Sequence, residues 1–379
     1  MRAIHKEVII IILIISFTLL FISKIKDEMV DFEVCYKAGK RLISGEMLYQ
    51  LTDGHYQFKY PPFYAFLVSP LSSLCLNLAK LIWFYIVICL IFLILYFSYL
   101  LIPFRKKKWP ILVIPTFLIL VKFYGRELDL GQANVLMVLS LMIMIYFSIE
   151  ENEKGAGVFL GLASVIKPYA IIFFPYFLIK KKFLTVINGT LFFILALTFP
   201  IIRYGVKGNL ELLKNWQHTL SLSTPGLLAS QDNVSIIAFF AKWFGTEKLN
   251  LILILSGSII AFLILLFLLI VFQGRKVQKS SHILESALLL IFIPLFSPLG
   301  WDYIFLSSTL AIMMLINYID RFPKSFKYLL IINFIFIGAT LYDLLGRQIY
   351  SQFMRFSILT INFIIVVFYL SYLRLKQLC

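Results

Sequence analysis

The stretch Val8-Ile9-Ile10-Ile11-Ile12-Leu13-Ile14-Ile15-Ser16-Phe17-Thr18-Leu19-Leu20-Phe21-Ile22 carries no charge and is flanked by Arg2 and Lys6 before it and Lys24 and Lys26 after it. It has the look of a secretory leader, but no small-x-small cleavage site follows and Ser23-Lys24-Ile25-Lys26 comes at once. The expected reading is an uncleaved first membrane helix at about 7–23. Similar apolar runs recur along the chain. Of its 379 residues, 61% are hydrophobic and only 14% charged, against roughly 25% charged in soluble domains. One core cannot bury that much apolar surface, so lipid must solvate most of it.

The formal charge is +16, yet the cations form no basic stripe with interleaved aromatics, so no nucleic-acid partner is expected. They fall in clusters between apolar runs: Arg105–Lys108, Lys180–Lys182, Arg275 and Lys276 with Lys279, Arg321 with Lys324 and Lys327, and Arg374 with Lys376. Placing these clusters on the cytoplasmic side predicts an all-α integral membrane protein with about 12 transmembrane helices. It forms a single polytopic domain over 1–379 with both ends inside. After the first helix, crossings are expected at about 78–102, 110–124, 132–149, 183–202, 250–272, 283–297, 303–318, 328–341 and 356–373, with a half-length pair at 155–166 and 168–179. Residues 24–77 form the first extracytoplasmic loop, with amphipathic surface helices, and 203–249 a second large one. Pro62, Pro70 and Asn77 suit a segment at 62–77 lying in the outer interface.

The half-length pair meets at Lys167-Pro168. A residue before proline is biased away from helix, and about 12 residues at 1.5 Å each are too short to span. Such a break is tolerated where it lines a polar cavity. The bland alternative is a helix break with a snorkelling lysine.

This topology puts most polar side chains of the loops outside. No glycine-rich phosphate loop occurs, which argues against a soluble nucleotide donor, and no cofactor is expected. A membrane-delivered, lipid-linked phosphate fits better, with Lys59, Arg126, Lys167 and Arg203 as its candidate ligands. Asp31 stands at the head of an expected amphipathic surface helix at about 28–44, where exposed N–H groups keep a carboxylate ionised and able to take a proton. Its alternative role is that of an ordinary first-turn acid. Glu127-Leu128-Asp129 has the acid-x-acid form of some metal sites, but too few oxygen ligands surround it, and no metal is expected. His55 and His218 are lone loop histidines. Neither a G-x-S-x-G nor an H-E-x-x-H is present. Cys35, Cys75, Cys89 and Cys379 show no paired spacing; Cys35 and Cys75 could pair, though free thiols are expected.

Ordered pieces extend through most of the chain: Asp31 with Tyr36 and Ala38-Gly39, Gly45 to Tyr49, Tyr60-Pro61-Pro62-Phe63, Pro70-Leu71, Gly131-Gln132-Ala133-Asn134, Gly161-Leu162-Ala163 to Lys167-Pro168, Asn233-Val234-Ser235, and Ser297-Pro298-Leu299-Gly300-Trp301-Asp302. In that order and spacing the chain resembles the GT-C superfamily of multi-spanning glycosyltransferases, and within it the bacterial polyprenyl-phosphate-mannose-dependent α-1,2-mannosyltransferase-like group, glycosyltransferase family 87. The resemblance implies a polyprenyl-phosphate-linked sugar donor, a glycan or glycolipid acceptor, and inverting transfer of a hexosyl group, mannosyl by the family's name. It implies an active site on the extracytoplasmic side of a bacterial cytoplasmic membrane. The family's acid after the first helix maps onto Asp31 as catalytic base, and Tyr36, Tyr60, Gln132, Asn134, Asn233, Trp301 and Asp302 fall at substrate-binding positions. One departure is Tyr303, where relatives tend to have histidine after Trp-Asp, so no imidazole role carries over. A transporter or flippase of a lipid-linked sugar is the alternative reading; it predicts inverted repeats and mid-membrane ionisable groups. A scaffold without activity is a third.

Overall fold

The computed structural model describes residues 2–54, 56–273 and 279–376; His55, Arg275, Lys276 and Cys379 lie outside them. Seventeen α-helices follow in order: α1 Arg2–Leu20, α2 Val30–Ser44, α3 Pro62–Ser72, α4 Leu76–Leu101, α5 Trp109–Leu130, α6 Asn134–Ile149, α7 Glu153–Ile166, α8 Phe173–Ile179, α9 Phe183–Thr198, α10 Ile201–Ser223, α11 Ile236–Phe244, α12 Leu249–Gln273, α13 Lys279–Phe296, α14 Thr309–Tyr318, α15 Lys324–Gly338, α16 Tyr342–Arg355 and α17 Ile358–Leu375. Among the described residues the nearest approach to a strand is one antiparallel bridge between Asn233 and Trp301.

Among the described residues, five helical segments are long and apolar enough to cross a membrane: Leu76–Leu101, Thr246–Gln273, Lys279–Phe296, Asp302–Arg321 and Ile358–Leu375. Two bent pairs raise the number to seven. This is a multi-pass membrane protein. The twelve crossings expected are not reached by length and composition. Helix α6 has 16 residues, and α5 runs on through Lys122, Arg126, Glu127 and Asp129, several residues beyond its expected end at 124. The bent pairs are where the sequence reading departs most. Helix α9 stops at Thr198 and the chain turns by 92° into α10; α15 turns by 98° into α16. The first part of the segment expected as a loop (203–249) and the connection expected before the last helix are therefore helices set about at right angles to the helices before them. Both alternate apolar and charged faces, the pattern of an interfacial helix.

The break at Lys167 is present. Helix α7 ends at Ile166, Lys167 is extended (φ −143°, ψ 123°), and a 3₁₀ turn at Pro168–Ile172 leads into α8. Helix α3 packs on α2 so closely that a Cβ on Gly39 would lie 2.1 Å from Ser72 Oγ. The segment at 62–77 is thus half a packed pair, with Tyr64, Ala65 and Val68 buried. Cys35 is buried, Cys75 and Cys89 are exposed, and all three are free thiols.

Candidate active site

Four elements converge on one cavity of about 460 Å³. Helix α2 brings Asp31 in its first turn. The loop before α3 brings Lys59, Tyr60 and Pro61, the α5–α6 turn brings Gln132, and the α7 break brings Lys167. Behind them stand Arg126, Asp232, Trp301 and Tyr303, while Leu220, Ser223 and Leu227, from α10 and the turn after it, close one side.

Local chemistry explains the convergence. Helix α5 ends on Gly131 in the left-handed region (φ +65°), and a Cβ there would lie 2.6 Å from the Cβ of Phe32. Only glycine allows both the turn and that approach, which seats Gln132 against the residue beside Phe32, namely Asp31. Trp83 Nε1 donates to Gly131 O at 2.9 Å and holds the turn. Glu127, buried, accepts from Val135 N and Asn134 Nδ2, each at 2.9 Å, and so caps α6. Its neighbour Asp129 is exposed, so the acid-x-acid pair does not face a common ligand. Among the described residues no three His, Cys, Asp or Glu side chains come together as a metal site.

Gln132 is the hub. Its Nε2 donates to Asp31 Oδ2 at 2.5 Å and to Tyr303 Oη at 3.2 Å. Its Oε1 accepts from Tyr60 Oη at 2.9 Å and Lys167 Nζ at 3.0 Å. The Lys167 ammonium also lies 5.2 Å from the Tyr60 ring centre and 6.0 Å from that of Tyr303, within cation–π range. Burial raises the Asp31 pKa above its ordinary value; the Gln132 hydrogen bond and then Lys167, Lys59 and Arg126 oppose the rise. Burial lowers that of Lys59, and Asp31 opposes it.

A second network backs the cavity. Asp302 is sealed from solvent and pairs with Lys122 at 2.9 Å and with Arg126 Nε at 3.7 Å. Arg126 Nη2 reaches Asp232 at 3.0 Å. Asp232 sits where it does because two loops are tied together: Val234 N donates to Gly300 O at 2.7 Å and Asp302 N to Asp232 O at 3.0 Å. Asn233 accepts from Ser235 N and Gly300 N and donates to Leu228 O and Pro298 O.

Asp31, Lys59, Tyr60, Arg126, Gln132, Lys167 and Trp301 are therefore brought to one cavity. Five other expected site residues point elsewhere. Arg203 donates to Leu42 O at 3.1 Å and Ile43 O at 2.6 Å, capping the end of α2. Tyr36 donates to Leu74 O at 2.7 Å, Asn134 to Glu127 and Asn233 to loop carbonyls; Asp302 lies behind the wall. Each is held by protein groups rather than presented to the cavity. The polar lining residues not expected as site residues are Tyr56, Gln57, Tyr169, Ser223, Asp232 and Tyr303, of which Asp232 and Tyr303 had a signal in the sequence. The signal for Asp232 was its place next to Asn233-Val234-Ser235; for Tyr303 it was the departure from histidine.

The profile of glycosyltransferase family 87 matches residues 58–298, more than half of the chain. The chain belongs to glycosyltransferase family 87. By its description, this is a family of glycosyltransferases. The matched range includes the Lys59–Tyr60 loop, Gln132, Lys167 and Asp232, while Asp31 and Trp301–Tyr303 fall outside it. The family 87 chain is also similar to an alpha-(1->3)-arabinofuranosyltransferase of Corynebacterium glutamicum, 28% identical over 172 residues. These are 42% of this chain and 39% of that relative, so the match spans well under half of either protein. No solved structure matches the family 87 chain.

Proposed function

We propose that this family 87 enzyme transfers a glycosyl group, mannosyl by the resemblance of its motifs, from a polyprenyl-phosphate donor to a glycan or glycolipid acceptor at the extracytoplasmic face, with inversion. The observation that carries this reading is Asp31 at the cavity wall with one oxygen tied to Gln132 and three cationic side chains, Lys59, Lys167 and Arg126, around the same space. Asp232, the other carboxylate of the lining, is paired with Arg126, and one carboxylate left without a direct cation suits a one-step displacement, in which only one base is needed. Asp31 Oδ1 takes the acceptor hydroxyl proton as that oxygen bonds to the anomeric carbon. The bond from that carbon to the phosphate oxygen breaks, and its electron pair leaves on the polyprenyl phosphate. Lys59 and Arg126 offset the charge that develops there. The apolar side of the cavity, Val30, Val34, Leu220, Leu227 and Leu299, suits the first carbons of a lipid chain.

Membranes containing the wild type or Asp31→Asn are to be assayed with radiolabelled polyprenyl-phosphate mannose and, in parallel, polyprenyl-phosphate arabinofuranose, the second sugar being suggested by the name of the relative. Transfer of mannose by the wild type and its loss in the variant support the reading. Transfer of arabinofuranose alone moves the sugar, and equal transfer by both proteins removes Asp31 from the mechanism.

A further inference from the structure

We propose that Gln132 is a positioning residue that holds Asp31 as a free base by standing between it and Lys167. The proposal rests on the reading of Asp31 as the base and goes beyond it. Every hydrogen-bonding place on the Gln132 amide is used inside the protein: two donors to Asp31 and Tyr303, two acceptor sites to Tyr60 and Lys167. Only this amide orientation is electrostatically allowed. The reverse would set NH₂ against the ammonium and an oxygen against the carboxylate. An amide so filled has nothing left for a substrate, which separates Gln132 from the residues that contact sugar.

The arrangement has two consequences. Asp31 is held through Oδ2, and among the described residues no protein group bonds Oδ1, so one oxygen of fixed orientation faces the cavity. The second concerns charge. No lysine or arginine among the described residues forms a direct ion pair with Asp31, unlike Asp302, Asp53 or Glu285. With a smaller, apolar side chain at 132 the Lys167 ammonium loses its bond to the amide oxygen and is free to move onto the carboxylate. A direct contact would stabilise the ionised form and weaken it as a base.

The test compares Gln132→Leu, Lys167→Met and the double variant in membranes, reading kcat, the donor KM, the pH dependence of kcat/KM and the amount of monodisperse protein. Gln132→Leu is expected to lower kcat on the order of 10-fold or more, a part of the 10²–10⁴-fold a general base contributes. Its donor KM should stay within about threefold, well below a tenfold change, and its acid limb should move to lower pH as Lys167 pairs with Asp31. Adding Lys167→Met should return the limb toward the wild-type position, a coupling that two independent structural losses would not show. A Gln132→Leu enzyme with less folded protein but an unmoved limb and normal kcat would overturn the proposal. So would a loss confined to the donor KM, which would make Gln132 a donor ligand. Should Asp31→Asn keep full activity, the base assignment itself fails; should it be inactive while Gln132→Leu is normal, only the positioning role fails.

Discussion

Two carboxylates, the buried Glu285 and the half-buried Asp31, are treated in opposite ways. Glu285 lies in the second turn of α13, sealed from solvent; Lys180 Nζ holds it at 2.6 Å, Tyr176 Oη at 2.9 Å and Arg374 Nη2 at 3.6 Å. His282 and Tyr176 meet at 2.6 Å and stack beside it. Past the other end of the same helix the chain reaches Trp301 and Tyr303 and the cavity, where Asp31 touches an amide and no cation directly. The Glu285 cluster joins α8, α13 and α17. A carboxylate that ties helices together is neutralised by direct contact, because an unpaired buried charge is costly. One that must accept a proton needs its cations near but not touching. The same residue types thus give a clasp at one end and a reactive group at the other, and the number of atoms between charge and countercharge separates them.

Breaking each carboxylate in turn should show the contrast at its largest. Asp31→Asn is nearly isosteric and can still accept from Gln132, so folded yield should match the wild type while sugar transfer falls about 10²-fold or more. Glu285→Gln should do the reverse. Leaving Lys180 and Arg374 without their countercharge should cost on the order of 3–5 kcal/mol, read as a lower midpoint in thermal unfolding in detergent, with turnover per folded molecule close to normal. A catalytic defect at unchanged stability in Glu285→Gln would erase the distinction between the two regions.

Lys167→Met comes next. Its expected effect is a donor KM raised about 10-fold, equivalent to about 1.4 kcal/mol, with a smaller change in folding. The pH dependence sharpens the comparison further. Burial holds the Asp31 pKa above 3.8, and the base works only when deprotonated, so kcat/KM should fall as pH drops through that raised value. The sign for folding is opposite. The protonated form is the one favoured by the folded state, so this group's contribution to stability is present at low pH and lost as pH rises through the raised value. An acid limb at or below 3.8 would contradict the burial of Asp31. The smallest effect should be that of Asp129→Asn, within about twofold of wild type in transfer, since exposed substitutions away from such features are usually near neutral.

Much of the site was legible because it depends on local signals. The proline after Lys167, the glycine before Gln132 and the acid at the head of α2 each mark a backbone feature that places a side chain. What stayed hidden depends on partners distant in sequence. Arg203 and a phosphate-binding arginine read alike, and only packing shows that its donors end on Leu42 and Ile43. Asn233 likewise looks like a sugar ligand until its four bonds to loop groups are seen. The Glu285 cluster had a signal that went unused, a carboxylate inside an apolar run, which is costly and demands partners. The right-angle bends after α9 and α15 were missed because apolar runs continue close to them, and an apolar count does not register a change of direction.

The bonds of Gln132 join residues 101 positions apart toward Asp31 and 171 positions apart toward Tyr303. During synthesis, Asp31 is therefore made long before the groups that will enclose it. A ribosome must add another 101 residues before that carboxylate has its amide partner, and it must deliver most of the chain before Tyr303 arrives. Whatever holds the early helices in the meantime must tolerate an acid and its neighbouring lysines with no settled partners. If Asp31 is the base proposed above, catalytic competence is among the last properties the nascent protein acquires, and a chain released early would carry that carboxylate without its surrounding wall.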